Sequence, residues 1–359
     1  MGASIGYRIA PLTALMLLSA CIPGGDRPER PRYPDYEQPP RPSDTYERHR
    51  FDEGVQQLPS APSAWQARPV SADARSISAM IYTVRAGDTL RGIADRTGSG
   101  SEAIARANGL RPPFVIRPGQ QLEIPAGRYH LVRAGETGIA IARAYGIDWS
   151  RIIAANDLIE PYVLRAGMRV LIPAASSGKT SIEERAAAFR LGVDDILTGG
   201  EPALATNQRP SRPISTPNRV LPSTAAIAQP ERLRGAFAWP VHGRLVGRFG
   251  PGASGEKNNG IKIAVPVDTP ILAAADGVVA YAGDEIAALG GLVILKHGDG
   301  WTTVYGHASQ LLVQRGQAVK KGQTVAMSGD SGFADRPEVH FELRKGRTPV
   351  DPLGQLPPL

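Results

Sequence analysis

Apolar positions along this chain change rhythm three times. Residues 22–80 have almost none, being dominated by "PERPRYPDYEQPPRPSD" and "LPSAPSAWQARPVSADAR". Proline fixes φ and removes a donor, and so few apolar groups cannot bury enough surface to build a core. This predicts an extended tether with a reach on the order of 100 Å, at about 3 Å per residue. The next rhythm occurs twice. "YTVRAGDTLRGIADRTGSGSEAIARANGLRPPFVIRPGQQLEIP" fills 82–125, and "HLVRAGETGIAIARAYGIDWSRIIAANDLIEPYVLRAGMRVLIP" fills 130–173, an ungapped offset of 48. Each unit opens on a β-rich run ending at Gly. Two stretches with helical apolar spacing follow, then a short strand stopped by Pro, which predicts two βααβ modules. From about 237 the rhythm shortens to β-branched runs broken by Gly, Asp and Pro, such as "IAVPVDTPILAAADGVVAYAG" and "LGGLVILKHGDGWTTVYGHASQLLV". Turn signals every 8–12 residues or so predict an all-β antiparallel domain.

Between the repeats and this domain, 175–236 reads as a second linker. "SIEERAAAFRLGVDDIL" (181–197) has helical spacing and predicts one short helix. The stretch after it is rich in Pro and Ser, with spare basic charge. The fold class is therefore multidomain: two small α+β modules at 81–126 and 129–174, then an all-β domain at 237–359, joined by disordered linkers.

Composition sharpens this in two places. The chain has 359 residues with 32 Pro, 40 Gly and a net charge of +7. The clustered Pro belongs to linkers, and the weak basic excess suits an anionic wall or membrane surface. No phosphate loop, nucleic-acid motif or aromatic–basic interleave occurs, so no nucleic-acid partner is expected. No apolar run reaches about 18 residues, so no ordinary membrane span is expected. The single cysteine, Cys21, closes "IAPLTALMLLSAC" behind Arg8. A basic start, a short apolar stretch and small residues read as a secretory signal over 1–20. "LSAC" resembles the bacterial lipobox. That implies lipidation of Cys21, which becomes the mature N-terminus. Ile22 after it implies sorting to the outer membrane, with the chain in the periplasm on that membrane's inner face.

The repeats resemble the LysM domain, on "VRAGDTL", "IA", "ANGL" and "IRPGQQLEIP". The resemblance implies binding of N-acetylglucosamine-containing glycan strands of peptidoglycan, in a groove between the first strand–helix loop and the loop after the second helix. In the first module it implicates Gly87, Asp88, Thr89, Leu90, Asn108, Gly109 and Leu110. In the second it implicates Gly135, Glu136, Thr137, Asn156, Asp157 and Leu158. Sugar hydroxyls need amide and backbone partners, and an N-acetyl methyl needs a small apolar floor. Asp88 and Thr89 are also good helix N-caps, a role compatible with binding. The second module departs from the first at Gly138, where the first has Leu90.

Residues 238–355 resemble the LytM or lysostaphin-like zinc endopeptidases, on "GRFG", "AADGVV", "GWTTVYGH", "VKKGQ" and "VHFEL". Active members carry His-x-x-x-Asp and a later His-x-His. The resemblance gives them three zinc ligands and an open fourth position, with further histidines assisting the water. Here the first His is Asn258, the Asp is Lys262, the two His of His-x-His are Glu338 and His340, and the assisting histidine of Tyr-x-His is His307. Two of three ligands are lost, and a lysine ammonium repels a metal. Lys262 is expected to pair with Glu338, because a buried charge needs a partner. No cofactor and no catalytic residue is expected. The alternative is a zinc site made of His307, Glu338 and His340. His49, His130, His242 and His297 have no motif context, and the last two read as turn or surface positions.

LysM repeats with a degenerate LytM domain behind a lipobox resemble the NlpD group of division proteins. The resemblance implies a non-enzymatic regulator whose cleft, around Asn258, Lys262, His307, Glu338 and His340, holds a periplasmic cell-wall amidase. The alternative is an active zinc endopeptidase.

Overall fold

The computed structural model describes residues 63–174, 181, 189–215, 220–252 and 257–358. Cys21, the signal segment, His49 and the tether up to residue 62 lie outside the described residues, as does 182–188 of the expected linker helix. Among the described residues no helix is long and apolar enough to cross a membrane.

Strand β1 (Arg75–Ile77) precedes the first module, which is built from β2 (Met80–Thr83), α1 (Leu90–Thr97), α2 (Ser101–Ala107) and β3 (Gln121–Ile124). The second comprises β4 (Gly127–Leu131), α3 (Gly138–Tyr145), α4 (Trp149–Asn156) and β5 (Arg169–Leu171). The offset of 48 carries over into the packing. Val84, Ile93, Ile104, Leu122 and Ile124 form the first core. Val132, Ile141, Ile152, Val170 and Ile172 occupy the same places in the second. Thr89 and Thr137 cap α1 and α3, accepting the N–H of Gly92 and Ala140. Gly98 and Gly146 end those helices at φ 82° and 60°, the left-handed backbone that glycine adopts without penalty.

The C-terminal domain is antiparallel throughout. Its strands are β6 (Arg244–Gly247), β7 (Gly250–Pro251), β8 (Lys257–Asn258), β9 (Ile261–Ala264), β10 (Pro270–Leu272), β11 (Gly277–Gly283), β12 (Gly291–Gly298), β13 (Trp301–Leu311), β14 (Ala318–Val319), β15 (Thr324–Ser328), β16 (Glu338–Lys345) and β17 (Thr348–Val350). The main sheet runs β14-β11-β12-β13-β16-β9-β6. Strand alternation sends Ile261, Ile263, Val293, Leu295, Tyr305, Val339, Phe341 and Leu343 into one core.

Two stretches read as linkers are built into this fold. Residues 63–79, assigned to the tether, carry Trp65, which stacks on Tyr281 with ring centroids 5.7 Å apart, and β1, which pairs with β4 of the second module. The second linker supplies a helix at Val193–Gly199, near the end of the stretch expected to be helical. Its Ile196 packs with Ile139 and Ala140 of the second module and with Leu292, Ile294 and Val304 of the sheet. A few well-spaced apolar residues suffice to dock a Pro-rich segment on a surface another domain has already built.

Candidate functional site

Strand β16 carries the site. Its sequence, "EVHFELRK", alternates strictly: Val339, Phe341 and Leu343 enter the core, while Glu338, His340, Glu342 and Arg344 share the other face, every one of them buried. Strand β9 lies alongside, with His340 opposite Lys262 and Glu338 opposite Ala264. On the other side Gly306 faces His340, which brings the next residue of β13, His307, to the same corner.

The expected ion pair is present. Lys262 Nζ lies 2.8 Å from Glu338 Oε1, with the lysine 30% exposed and the glutamate 3%. This is a close charge contact rather than an aligned hydrogen bond, and it leaves Glu338 Oε1 buried with no hydrogen-bond partner among the described residues. His307 Nδ1 donates to the Ser331 carbonyl at 2.8 Å, so its Nε2 is the free acceptor, 3.9 Å from Glu338 Oε1. Burial, ahead of its neighbours, pushes the His307 pKa below the usual imidazole range. The residue sits at φ 66°, a strained backbone held by its N–H donating to Leu289 O at 2.7 Å.

His340 turns the other way. Its Nε2 is 3.1 Å from Glu342 Oε1, and Arg344 donates to Glu342 Oε2 at 2.6 Å. Arg344 continues to Asp194 on the linker helix and to the Arg347 carbonyl. Burial opposes the Glu342 charge, yet the His340 and Arg344 contacts outweigh it and hold the carboxyl below its usual range. Asn258 lines the same cleft but stays outside this polar network. Its Nδ2 donates to Arg248 O at 2.9 Å and its Oδ1 accepts from Gly260 N at 3.2 Å, so the amide closes the β7–β8 hairpin.

These contacts bear on zinc. An ammonium stands beside the carboxylate, the imidazole that would ligate is committed to Glu342, and Asn258 faces its own hairpin. An ammonium 2.8 Å from the carboxylate repels a cation, so the residues present do not fit the ion. The alternative set of His307, Glu338 and His340 is not gathered round one point in this arrangement, because His340 Nε2 is turned to Glu342 Oε1. What remains is a cleft of about 1350 Å³. Lys262, Glu338 and His340 line its floor, and Phe333, 73% exposed, stands at its edge. Glu342 and Arg344 escaped the sequence reading, though the every-second-residue polar run of β16 announces them.

In the modules, several expected glycan contacts are committed elsewhere. Asp88 accepts from Arg85 N at 2.8 Å and from the Tyr82 hydroxyl, closing its loop. Glu136 does the same with Arg133 N at 2.8 Å and with His130, which stands where the first module has Tyr82. His130 is thus a buried loop staple, not a residue without context. Asn108 spends its amide on Ile104 O, Glu123 O and Glu123 N, and Asn156 on Ile152 O, Leu171 O and Leu171 N. Both pin the second helix to the last strand. Asp157 pairs with Arg106 at 2.7 Å, between the modules. Gly87, Thr89 and Gly109 stay exposed and Leu90, Leu110 and Leu158 half-buried, whereas Gly135, Glu136 and Thr137 are buried. His297, expected at a turn or surface, is buried in the sheet domain.

Residues 82–125 and 130–173 each match the LysM domain, and 256–352 match Peptidase family M23. The lipoprotein NlpD/LppB homolog of Pseudomonas aeruginosa is 35% identical over 302 residues, covering 83% of this chain and 82% of that one. The murein hydrolase activator NlpD of Salmonella typhimurium is 31% identical over 77% of this chain and 68% of its own length. The cell division protein DipM of Caulobacter vibrioides is 38% identical over 40% of this chain, a match that spans 25% of that protein.

Proposed function

This chain belongs to the NlpD/LppB family of LysM–M23 lipoproteins, and on that premise we propose that it regulates cell-wall hydrolysis without cutting peptide bonds itself. The observation that carries the reading is Lys262, whose ammonium lies 2.8 Å from Glu338 where active relatives of the fold place a metal. The surrounding cleft keeps its walls, and a shaped cleft without its metal is a binding site. Its occupant is a periplasmic N-acetylmuramoyl-L-alanine amidase, activated during daughter-cell separation. The Salmonella relative's name as a murein hydrolase activator and the Caulobacter relative's as a cell division protein support that assignment. The LysM repeats give the chain its hold on peptidoglycan glycan strands. Cys21 carries the lipid that anchors the chain to the inner face of the outer membrane.

Two measurements test this. Purified chain analysed for metal and incubated with cross-linked muropeptides is expected to hold no stoichiometric zinc and to release no product; bound zinc with product release overturns the reading. Added to a purified amidase on dye-labelled sacculi, the chain is expected to speed dye release, and Lys262→Ala together with Phe333→Ala to abolish the effect. No effect of the unaltered chain on any periplasmic amidase sinks amidase activation.

A further inference from the structure

The two glycan grooves are not equivalent. In the first module the lips are residues 87–89 and 116–118. Gly87, Arg117 and Pro118 are exposed, and a Cβ placed on Gly87 would meet nothing within 4 Å. In the second module the same lips are 135–137 and 164–166, and a piece of the chain lies between them. Residues 202–204, from the second linker, run as an added strand. Gly135 N donates to Ala203 O at 2.9 Å and Ala203 N to Glu136 O at 2.7 Å. On the other lip Ala166 N donates to Leu204 O at 2.8 Å and Leu204 N to Leu164 O at 3.3 Å. Four backbone hydrogen bonds to the insert thus occupy the two edges of this groove.

The chemistry of the insert resembles that of the sugar it displaces. An N-acetyl group offers one amide N–H, one carbonyl and one methyl. Ala203 offers the same three, and its methyl, 3% exposed, packs into the module's own core. Sequence departures between the repeats fit this arrangement. Gly138 replaces Leu90, and a Cβ there would lie 2.5 Å from the Trp149 ring; a Cβ on Gly199 would lie 2.7 Å from the same ring. Two glycines therefore let Trp149 fit between α3 and the linker helix that leads into the insert. At the insert's start Glu201 is fixed to the sheet domain, 2.8 Å from Arg315 Nη2 and bonded to Ile227 N.

We infer that the first LysM module alone binds free glycan, and that the second is a clasp whose groove is filled by the chain's own Pro202–Leu204. A tethered occupant competes at an effective concentration in the millimolar range, well above what a weakly bound oligosaccharide can match. This inference rests on the reading that LysM modules here hold glycan, and the experiment separates the two.

The full chain carrying Cys21→Ser is titrated calorimetrically with fully N-acetylated chitotetraose, with hydrogen exchange read on the same samples. One equivalent is expected, with new protection confined to 82–125 and the Gly135 and Ala203 amides already protected without sugar. A variant with Pro202–Leu204 replaced by Gly-Gly-Ser is expected to take a second equivalent, with protection now at 135–137. Should that variant fail to fold, Ala203→Pro, which removes the donor to Glu136, is expected to give the same gain. Two equivalents on the unaltered chain, sugar-induced protection at 135–137 in it, or a strap variant that stays at one equivalent, overturns the clasp and leaves glycan binding standing. No binding at all overturns the glycan reading and the inference with it.

Discussion

At the scale of single residues, the site turns on one substitution class: charge placed where a metal's charge belongs. Lys262→Met leaves the Glu338 carboxylate buried without its cation. Breaking a fully buried pair costs about 3–5 kcal/mol, but the lysine is 30% exposed and solvent screens part of the loss, so about 1–3 kcal/mol is expected. Urea unfolding measures it. The double change Lys262→Met with Glu338→Gln is expected to recover most of the loss, because the orphaned charge goes too. A single variant as stable as the parent shows the pair to be idle. This pair was legible in the sequence because two opposite charges replaced a ligand and an assisting histidine of one family site. The asparagines were not. Asn108 and Asn156 sit in the motif that the resemblance assigns to sugar, and a sequence gives no sign of whether an amide faces outward or back onto Glu123 and Leu171. Only the packing of α2 on β3, and of α4 on β5, decides that.

At the scale of elements, strand β12 shows how burial on both faces is written. "GLVIL" has no alternation, because Val293 and Leu295 face the sheet domain's core while Leu292 and Ile294 face the linker helix and second module. The same strand carries His297 one residue before its end, a histidine that sequence reasoning left at the surface for want of a motif. Its Nδ1 donates to Asp276 O at 2.9 Å and its Nε2 accepts from Thr303 at 2.7 Å, so the neutral ring is fully partnered. Burial pushes its pKa from 6.5 down to about 4. An unfolded chain binds a proton near pH 6.5 that the folded one refuses. The stability this imidazole contributes is therefore complete above pH 6.5 and is lost as pH falls toward about 4, by about 3 kcal/mol. Chemical unfolding at pH 7 and pH 5 is expected to show the fall, and His297→Asn to flatten that part of the profile. An unchanged slope in the variant means that other groups carry the acid sensitivity.

At the scale of the molecule, three apolar rhythms mark out separate domains with linkers between, and each domain's fold was legible because its apolar period is regular. The joining was not, since it depends on isolated residues in Pro-rich text: Trp65 against Tyr281, Ile196 against Ile294. Their effect is large. Tyr281, Leu292, Ile294 and Val304 form an apolar face on the sheet that Trp65, Ile139, Ala140 and Ile196 cover. All four sheet residues are at most 3% exposed in the chain. A fragment cut to 237–359 loses that cover. Each large apolar side chain moved from interior to water costs about 1.5–3 kcal/mol, and four together cost several even after the loosened surface rearranges. A domain of this size loses roughly 3–5 °C of melting temperature per kcal/mol. The fragment is therefore expected to melt at least about 10 °C below the chain begun at residue 59 and to bind an apolar dye that the longer chain excludes. Ile294→Asp in the longer chain is expected to reproduce both changes. Equal melting of fragment and chain shows that the cover adds no stability, and the sheet domain then acts as an independent body that the modules only touch.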